Sequence, residues 1–222
     1  SAMFTKYARQ IIVAAKAGGD PNFNPALRVA IDKAKGIGMP NDNINRAVKK
    51  GTGELGGESY EEKLFEGYGP SGVAIIVECL TDNNNRTTAF VRSTFDKNGG
   101  NLGTPGCVSY MFSKKGIIII DSEGLDEEEV MMNALDAGAD DMVVNEDNFE
   151  IQTDPSAFND VHGAIKEAGY DIVHAEIEQI PSMEANVTDP AAMKSLNKLI
   201  STLEDNDDVQ NVYYNCELEE ED

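Results

Sequence analysis

Apolar positions recur at helical spacing over the first fifty or so residues and at strand spacing through most of the remaining chain. From Phe4 to Ala17 the stripe is Phe4, Ala8, Ile11 and Ala15, and Gly18-Gly19 followed by Pro21 ends it. Asn24-Pro25 opens a second helix, with Asn as the cap and Pro at the first helical position, running to about Lys35 before Gly36 and Gly38. Met39-Pro40-Asn41 is a break and a new cap. The third helix puts Ile44, Ala47 and Val48 on one face, with Arg46, Lys49 and Lys50 at i, i+3 and i+4 on the other, and Gly51-Thr52-Gly53 closes it.

Beyond residue 58 the pattern predicts strands at Leu64 to Tyr68 and Val73 to Leu80, joined by the turn Gly69-Pro70-Ser71-Gly72. A helix from about Asn85 to Lys97, a glycine-rich loop (Asn101 to Gly106) and a strand Val108 to Phe112 come next. Residues 116–180 then read strand (Ile117 to Ile120), helix (Asp126 to Ala137), hairpin (Asp141 to Val144 and Phe149 to Thr153), helix (Ser156 to Ala168) and strand (Ile172 to Ile180). That βαββαβ order is the ferredoxin-like split unit. A strand Met183 to Val187, a helix from about Pro190 to Leu203 capped by Asp189 and a strand Val209 to Cys216 complete the chain. The segments flanking the split unit each lack enough elements for a domain. The expectation is an α+β chain of three domains: a small helical bundle (1–57), a discontinuous α/β sandwich (58–115 and 181–222) and the ferredoxin-like insertion (116–180).

Charge changes the picture twice. Across 222 residues, 40 acidic against 18 basic side chains give −22, which as an average argues against nucleic acid. Resolved along the chain, residues 1–57 hold nine basic and four acidic side chains, a net +5, and residues 58–222 hold nine and 36, a net −27. Asymmetry of this kind suggests a nucleic-acid-facing module joined to an acidic body. A hydrophobic content of 41 % with 26 % charged residues fits a folded globular chain. No apolar run reaches the ~20 residues of a membrane span, and Ser1-Ala2-Met3 reads as an expression scar before helical sequence rather than a signal peptide. Three widely spaced cysteines without C-x-x-C argue against a disulfide framework or zinc, and a cytoplasmic location is expected.

The motifs point away from catalysis. Gly67 to Gly72 satisfies G-x-G-x-x-G, but a β run comes after it where a dinucleotide site needs a helix, so it reads as a hairpin turn. The glycines from Gly99 to Gly106 allow close approach of backbone to phosphate, or form a helix cap and bulged strand entry. His162 and His174 lack a nucleophile pattern, and the carboxylates Asp126 to Glu129 suit a helix N-terminus better than a metal. No enzyme activity, metal or cofactor is expected. Residues 114–180 hold three lysines against 18 acids, with Phe149 alone among aromatics in the hairpin strands, so base stacking on that sheet is not expected. The closing Glu217 to Asp222 reads as a solvated tail.

Several ungapped blocks resemble the YebC/PmpR family: Arg28 to Lys35, Met39 to Ile44, Arg46 to Glu54, Glu66 to Pro70, Val77 to Asn83, Arg86-Thr87 and Gly99 to Gly103. The resemblance covers essentially the whole chain. It implies a helical domain followed by two α/β domains, one inserted, and a Lys/Arg-rich segment upstream of Phe4, so that the helical domain is expected to be truncated at its N-terminus. It also implies a DNA-binding transcriptional regulator or, as the alternative, a ribosome-associated factor supporting synthesis of proline-rich stretches; mitochondrial relatives are translational activators of cytochrome oxidase. DNA or ribosomal RNA is the expected partner of the basic end, with a protein partner for the acidic domains. The candidate contacts are Lys6, Arg9, Lys16, Arg28, Lys33, Lys35, Arg46, Lys49 and Lys50, with Arg86 and Arg92 beyond the helical region. Cations of this kind give sequence-independent phosphate binding.

Overall fold

The computed structural model describes residues 2–56 and 59–219. Ser1, the expected domain boundary at residues 57 and 58, and the last three residues of the acidic tail lie outside them. Three helices open the chain: α1 (Ala2–Ala15), α2 (Pro25–Gly36) and α3 (Asn41–Thr52). Asn24 caps α2 by accepting from the amide of Leu27, with Pro25 in the first turn. The cap of α3 is Pro40, which bonds through no side chain, so Asn41 is a helical residue rather than the cap. The apolar stripes meet in one core of Ile11, Ile12, Ala15, Leu27, Ala30, Ala34, Ile44 and Ala47. A side chain at Gly51 would strike the Ile12 carbonyl and the Ala15 Cβ, so glycine sets how closely α3 lies on α1.

The first sheet has the order β3-β1-β2-β8, from β1 (Glu61–Tyr68), β2 (Ala74–Thr81), β3 (Asn101–Leu102) and β8 (Val209–Tyr214), all antiparallel. A one-turn 3-10 helix at Pro70–Gly72 joins β1 to β2, with Ser71 left-handed at φ 61°, and the dinucleotide-like glycines are this hairpin turn. Helices α4 (Asn84–Lys97) and α7 (Pro190–Glu204), capped by Asn83 and Asp189, cover one face, packing Phe95, Leu196, Leu199 and Leu203 on Ile75 and Val77. The other face is covered by the chain around Val108 and Met111. There the expected strand Val108 to Phe112 is corrected to a 3-10 turn, Ser109–Met111, because the segment lies across the sheet and its apolar residues plug Ala74 and Ile76 instead of pairing. The expected strand Met183 to Val187 is likewise corrected to an irregular segment outside any sheet, bound to the chain beyond β8 by the Ala185 amide donating to the Asn215 carbonyl at 2.7 Å.

The second sheet runs β5-β6-β4-β7, from β4 (Phe112–Asp121), β5 (Asp141–Val144), β6 (Asn148–Thr153) and β7 (Ile172–Pro181), again antiparallel. Strand β4 extends well beyond the Ile117 to Ile120 run. Helices α5 (Glu127–Asp136) and α6 (Phe158–Glu167) bury Val130, Ala134, Val161 and Ile165 on Ile118, Ile120 and Ile151. Val29 of α2 joins this core, which docks the helical region on the second sheet layer. The tail is less solvated than expected, since Leu218 packs on the first core and the Glu219 carbonyl accepts from Asn197 at 3.2 Å.

Candidate nucleic-acid interface

Burial of Ile44 and Ala47 turns the opposite face of α3 outward, and Arg46, Lys49 and Lys50 are exposed on it. Lys49 and Lys50 occupy the last turn, where cations also counter the open carbonyl ends of the helix. Among the described residues these three side chains, with Lys35 of α2 and Arg92 of α4, have neither a hydrogen bond nor an ion pair. Lys35 lies in the last turn of α2. Arg92 stands exposed on an element that belongs to the first sheet layer. Arg28 is exposed on the first turns of α2 and donates to the carbonyls of Pro21 at 3.1 Å and Asn22 at 3.3 Å.

The remaining cations hold the molecule together. Arg9 donates to Asp208 at 2.9 Å, to the Leu80 carbonyl at 2.9 Å and to the Asp207 carbonyl at 2.7 Å, and its guanidinium lies 4.9 Å from the centre of the Tyr60 ring. Arg86 forks onto the same Asp208 carboxylate at 2.8 and 3.1 Å and reaches Asp82 at 2.8 Å. Thr87 donates to Asp208 at 2.9 Å. Burial would raise the Asp208 carboxyl, but the bonds from Arg86, Arg9 and Thr87 prevail and hold it below the usual carboxylate range. Lys33 pairs with Glu176 of β7 at 2.7 Å. Lys6 donates to Asn211 of β8 at 3.2 Å, and burial pushes its ammonium below the ordinary lysine range. Lys16 donates to the Tyr60 carbonyl. The candidate set therefore divides into exposed cations on α2, α3 and α4 and cations bonded within the molecule, of which Lys6, Arg9 and Lys33 join the helical region to the two sheets.

The glycine-rich loop takes an anion from its own chain. Glu66, buried on β1, accepts from the amides of Gly106 at 2.6 Å, Ser109 at 2.7 Å and Val108 at 3.3 Å. Burial opposes ionisation, yet these amides keep the Glu66 carboxyl below its ordinary range. A donor set of the kind that cradles phosphate is thus filled by a carboxylate. Between α2 and α6–β7 lies a cleft of about 280 Å³ lined by Tyr7, Lys33, His162, Lys166, Tyr170 and His174. Lys166 bonds Asp32 across it at 2.5 Å. His162 is buried with its Nδ1 unpartnered, and burial pushes its imidazole below the ordinary histidine range. Among the described residues no three His, Cys, Asp or Glu side chains gather as a metal site, and no helix is long and apolar enough to cross a membrane.

Two features escape sequence reasoning. Asp208 sits in an acidic turn that carries no local sign of its partners. Phe23, in the loop between α1 and α2, is 87 % exposed, and an aromatic residue between two asparagines in a Gly/Pro loop was its one available signal.

The geometry defines an α+β protein in which a basic helical region is fixed by part-buried ion pairs to two antiparallel sheet layers. The chain belongs to the TACO1/YebC family: the model of the family's N-terminal domain matches residues 1–54, and that of its second and third domains matches residues 60–216. It is 53 % identical over 219 residues to a "probable transcriptional regulatory protein" of Clostridioides difficile, covering 98 % of this chain and 92 % of that one. A protein of the same description from Geobacter sulfurreducens is 54 % identical, covering 99 % and 88 %. The crystal structure of a conserved hypothetical protein from Aquifex aeolicus superimposes with a TM-score of 0.87 at 44 % identity, covering 99 % of this chain and 91 % of that one.

Proposed function

We propose that the chain is a non-enzymatic regulator of gene expression that binds nucleic acid through its helical region, acting in the cytoplasm as a DNA-binding transcriptional regulator of the YebC type. The observation that carries this reading is the exposed, unpaired cluster Arg46, Lys49 and Lys50, held outward by the packing of α3 on α1. Lys35 and Arg28 add exposed cations on α2, while Lys6, Arg9 and Lys33 keep the helical region oriented on the acidic body. The description of the relatives as probable transcriptional regulatory proteins supports the regulatory role.

The strand order β5-β6-β4-β7 and the element order β4-α5-β5-β6-α6-β7 support reading residues 116–180 as a ferredoxin-like insertion. The entry of β8 into the sheet of β1 and β2 supports a discontinuous domain of residues 58–115 and 181–222, after a helical domain of residues 1–57. The acidic insertion is suited to a protein contact. A second reading, docking on ribosomal RNA during translation, is favoured by the make-up of the outward set, a stripe of lysines and arginines that holds phosphates without itself reading sequence. Changing Arg46, Lys49 and Lys50 together to Glu is expected to abolish salt-dependent nucleic-acid binding, and unchanged binding would refute the assigned face. Crosslinking in cell extract separates the targets, since enrichment of discrete DNA sites supports the transcriptional reading and sedimentation with ribosomes the translational one.

A further inference from the structure

We infer that Phe23 is a stacking platform for an unpaired nucleobase, so that the helical region prefers single-stranded nucleic acid to a closed duplex. The inference rests on the reading of this region as a phosphate-binding face and adds what that face recognises between phosphates. Phe23 is more exposed than any other large apolar side chain among the described residues. Its loop is nevertheless built firmly. The Phe23 amide donates to the Asp20 carbonyl at 3.1 Å, and the Asn22 amide donates to the Asp20 carboxylate at 2.9 Å. Buried Asn24, the next residue, donates to the carbonyls of Ala14 at 2.8 Å and Gly18 at 2.9 Å while capping α2. Arg28 holds the carbonyls of Pro21 and Asn22 from the other side. The ring is therefore displayed in water from a fixed backbone, with little ordering left to do on binding.

Its neighbours favour nucleic acid over an apolar protein surface. The loop is bonded by Arg28, whose side chain is exposed. A side chain on its Gly19 would meet Thr52 at 2.8 Å and Val48 at 3.6 Å, which places the loop against the last turn of α3, where Lys49 and Lys50 are. An aromatic face among cations is how proteins hold single strands: phosphates are drawn to the cations while a base stacks on the ring, which a base closed inside a duplex does not do. Arg9, Lys6, Lys16 and Lys33 are excluded from this site by their internal bonds.

The chain contains no tryptophan, so Phe23→Trp introduces a single reporter at the platform. The test titrates this variant and Phe23→Ala with dye-labelled oligo-dT and with a hairpin duplex of equal length, following tryptophan emission and dye anisotropy at several salt concentrations. Because the side chain is exposed, both variants are expected to keep the wild-type far-ultraviolet dichroism. Quenching by the single strand alone, with a loss of single-strand affinity of about five- to a hundredfold in Phe23→Ala and little change for the duplex, is the expected result. Equal quenching by both nucleic acids overturns the preference for unpaired bases. Salt-dependent binding of oligo-dT without quenching, and unaffected by Phe23→Ala, overturns the platform, leaves the phosphate-binding reading standing and assigns Phe23 to a protein contact. Absence of salt-dependent binding by the wild-type chain overturns both.

Discussion

Asp208 accepts from two guanidinium groups and a hydroxyl, and its partners lie 199 residues away at Arg9 and 122 away at Arg86. Nothing local announces this: Asp205 to Asp208 reads as an acidic turn, and Arg9 reads as one more cation of a basic helix. Charge and helical spacing identify which residues leave the apolar stripe, but do not distinguish water from a neighbouring domain as what they meet. Because the carboxylate is buried, Asp208→Ala leaves Arg9 short of its counter-charge and is expected to cost about 3 kcal/mol in urea unfolding. His162 supplies a pH effect. Its imidazole is pushed down by burial, with Asp32 opposing and Lys33 and Lys166 adding to the effect. The unfolded chain therefore takes up this proton first, so its contribution is intact above about pH 6.5 and is lost as pH falls below that. His174 acts in the opposite sense, because its bond to Glu178 raises it and favours the folded state on the acid side. With His174 unchanged, His162→Asn is expected to reduce the loss of stability between about pH 7 and about pH 5, measured by denaturant unfolding at each pH.

The packing of α3 on α1 decides where the outward cations point, and Gly51 decides that packing. Gly51→Ala places a methyl group against the Ile12 carbonyl and Ala15, and is expected to cost about 1–3 kcal/mol in thermal or urea unfolding by forcing the helices apart. Helices whose ends carry their own chemistry were readable from the chain, as Asn24-Pro25 and Asp189-Pro190 demonstrate by capping α2 and α7 where expected. Elements defined by distant partners were not. The two-residue β3 exists because Asn101 and Leu102 pair with Tyr68 and Gly67. Val108 to Phe112 has the composition of a strand and instead plugs a sheet face. The glycine loop was ambiguous in sequence because its anion, Glu66, comes from another strand. Glu66→Gln weakens that hold, and faster amide hydrogen exchange at Gly106 and Ser109 is the expected consequence.

Charge separation operates over the entire molecule: a net +5 end is fixed to a net −27 remainder, and the fixing uses several of the positive end's own cations. On the proposed reading the acidic surface repels phosphate and leaves one end to dock. Exchanging Glu127, Glu128 and Glu129 on α5 for Gln is expected to raise nonspecific DNA affinity modestly at low salt, and an unchanged affinity would remove the orienting role of the body. The central claim is that Arg46, Lys49 and Lys50 contact phosphates directly. Its most direct test is the slope of log affinity against log salt for a short DNA duplex, compared between the wild-type chain and a variant with all three changed to Ala. Release of counterions at three phosphates predicts a slope shallower by about 2 to 3 in the variant, with the fold retained. Parallel lines for the two proteins would contradict the account.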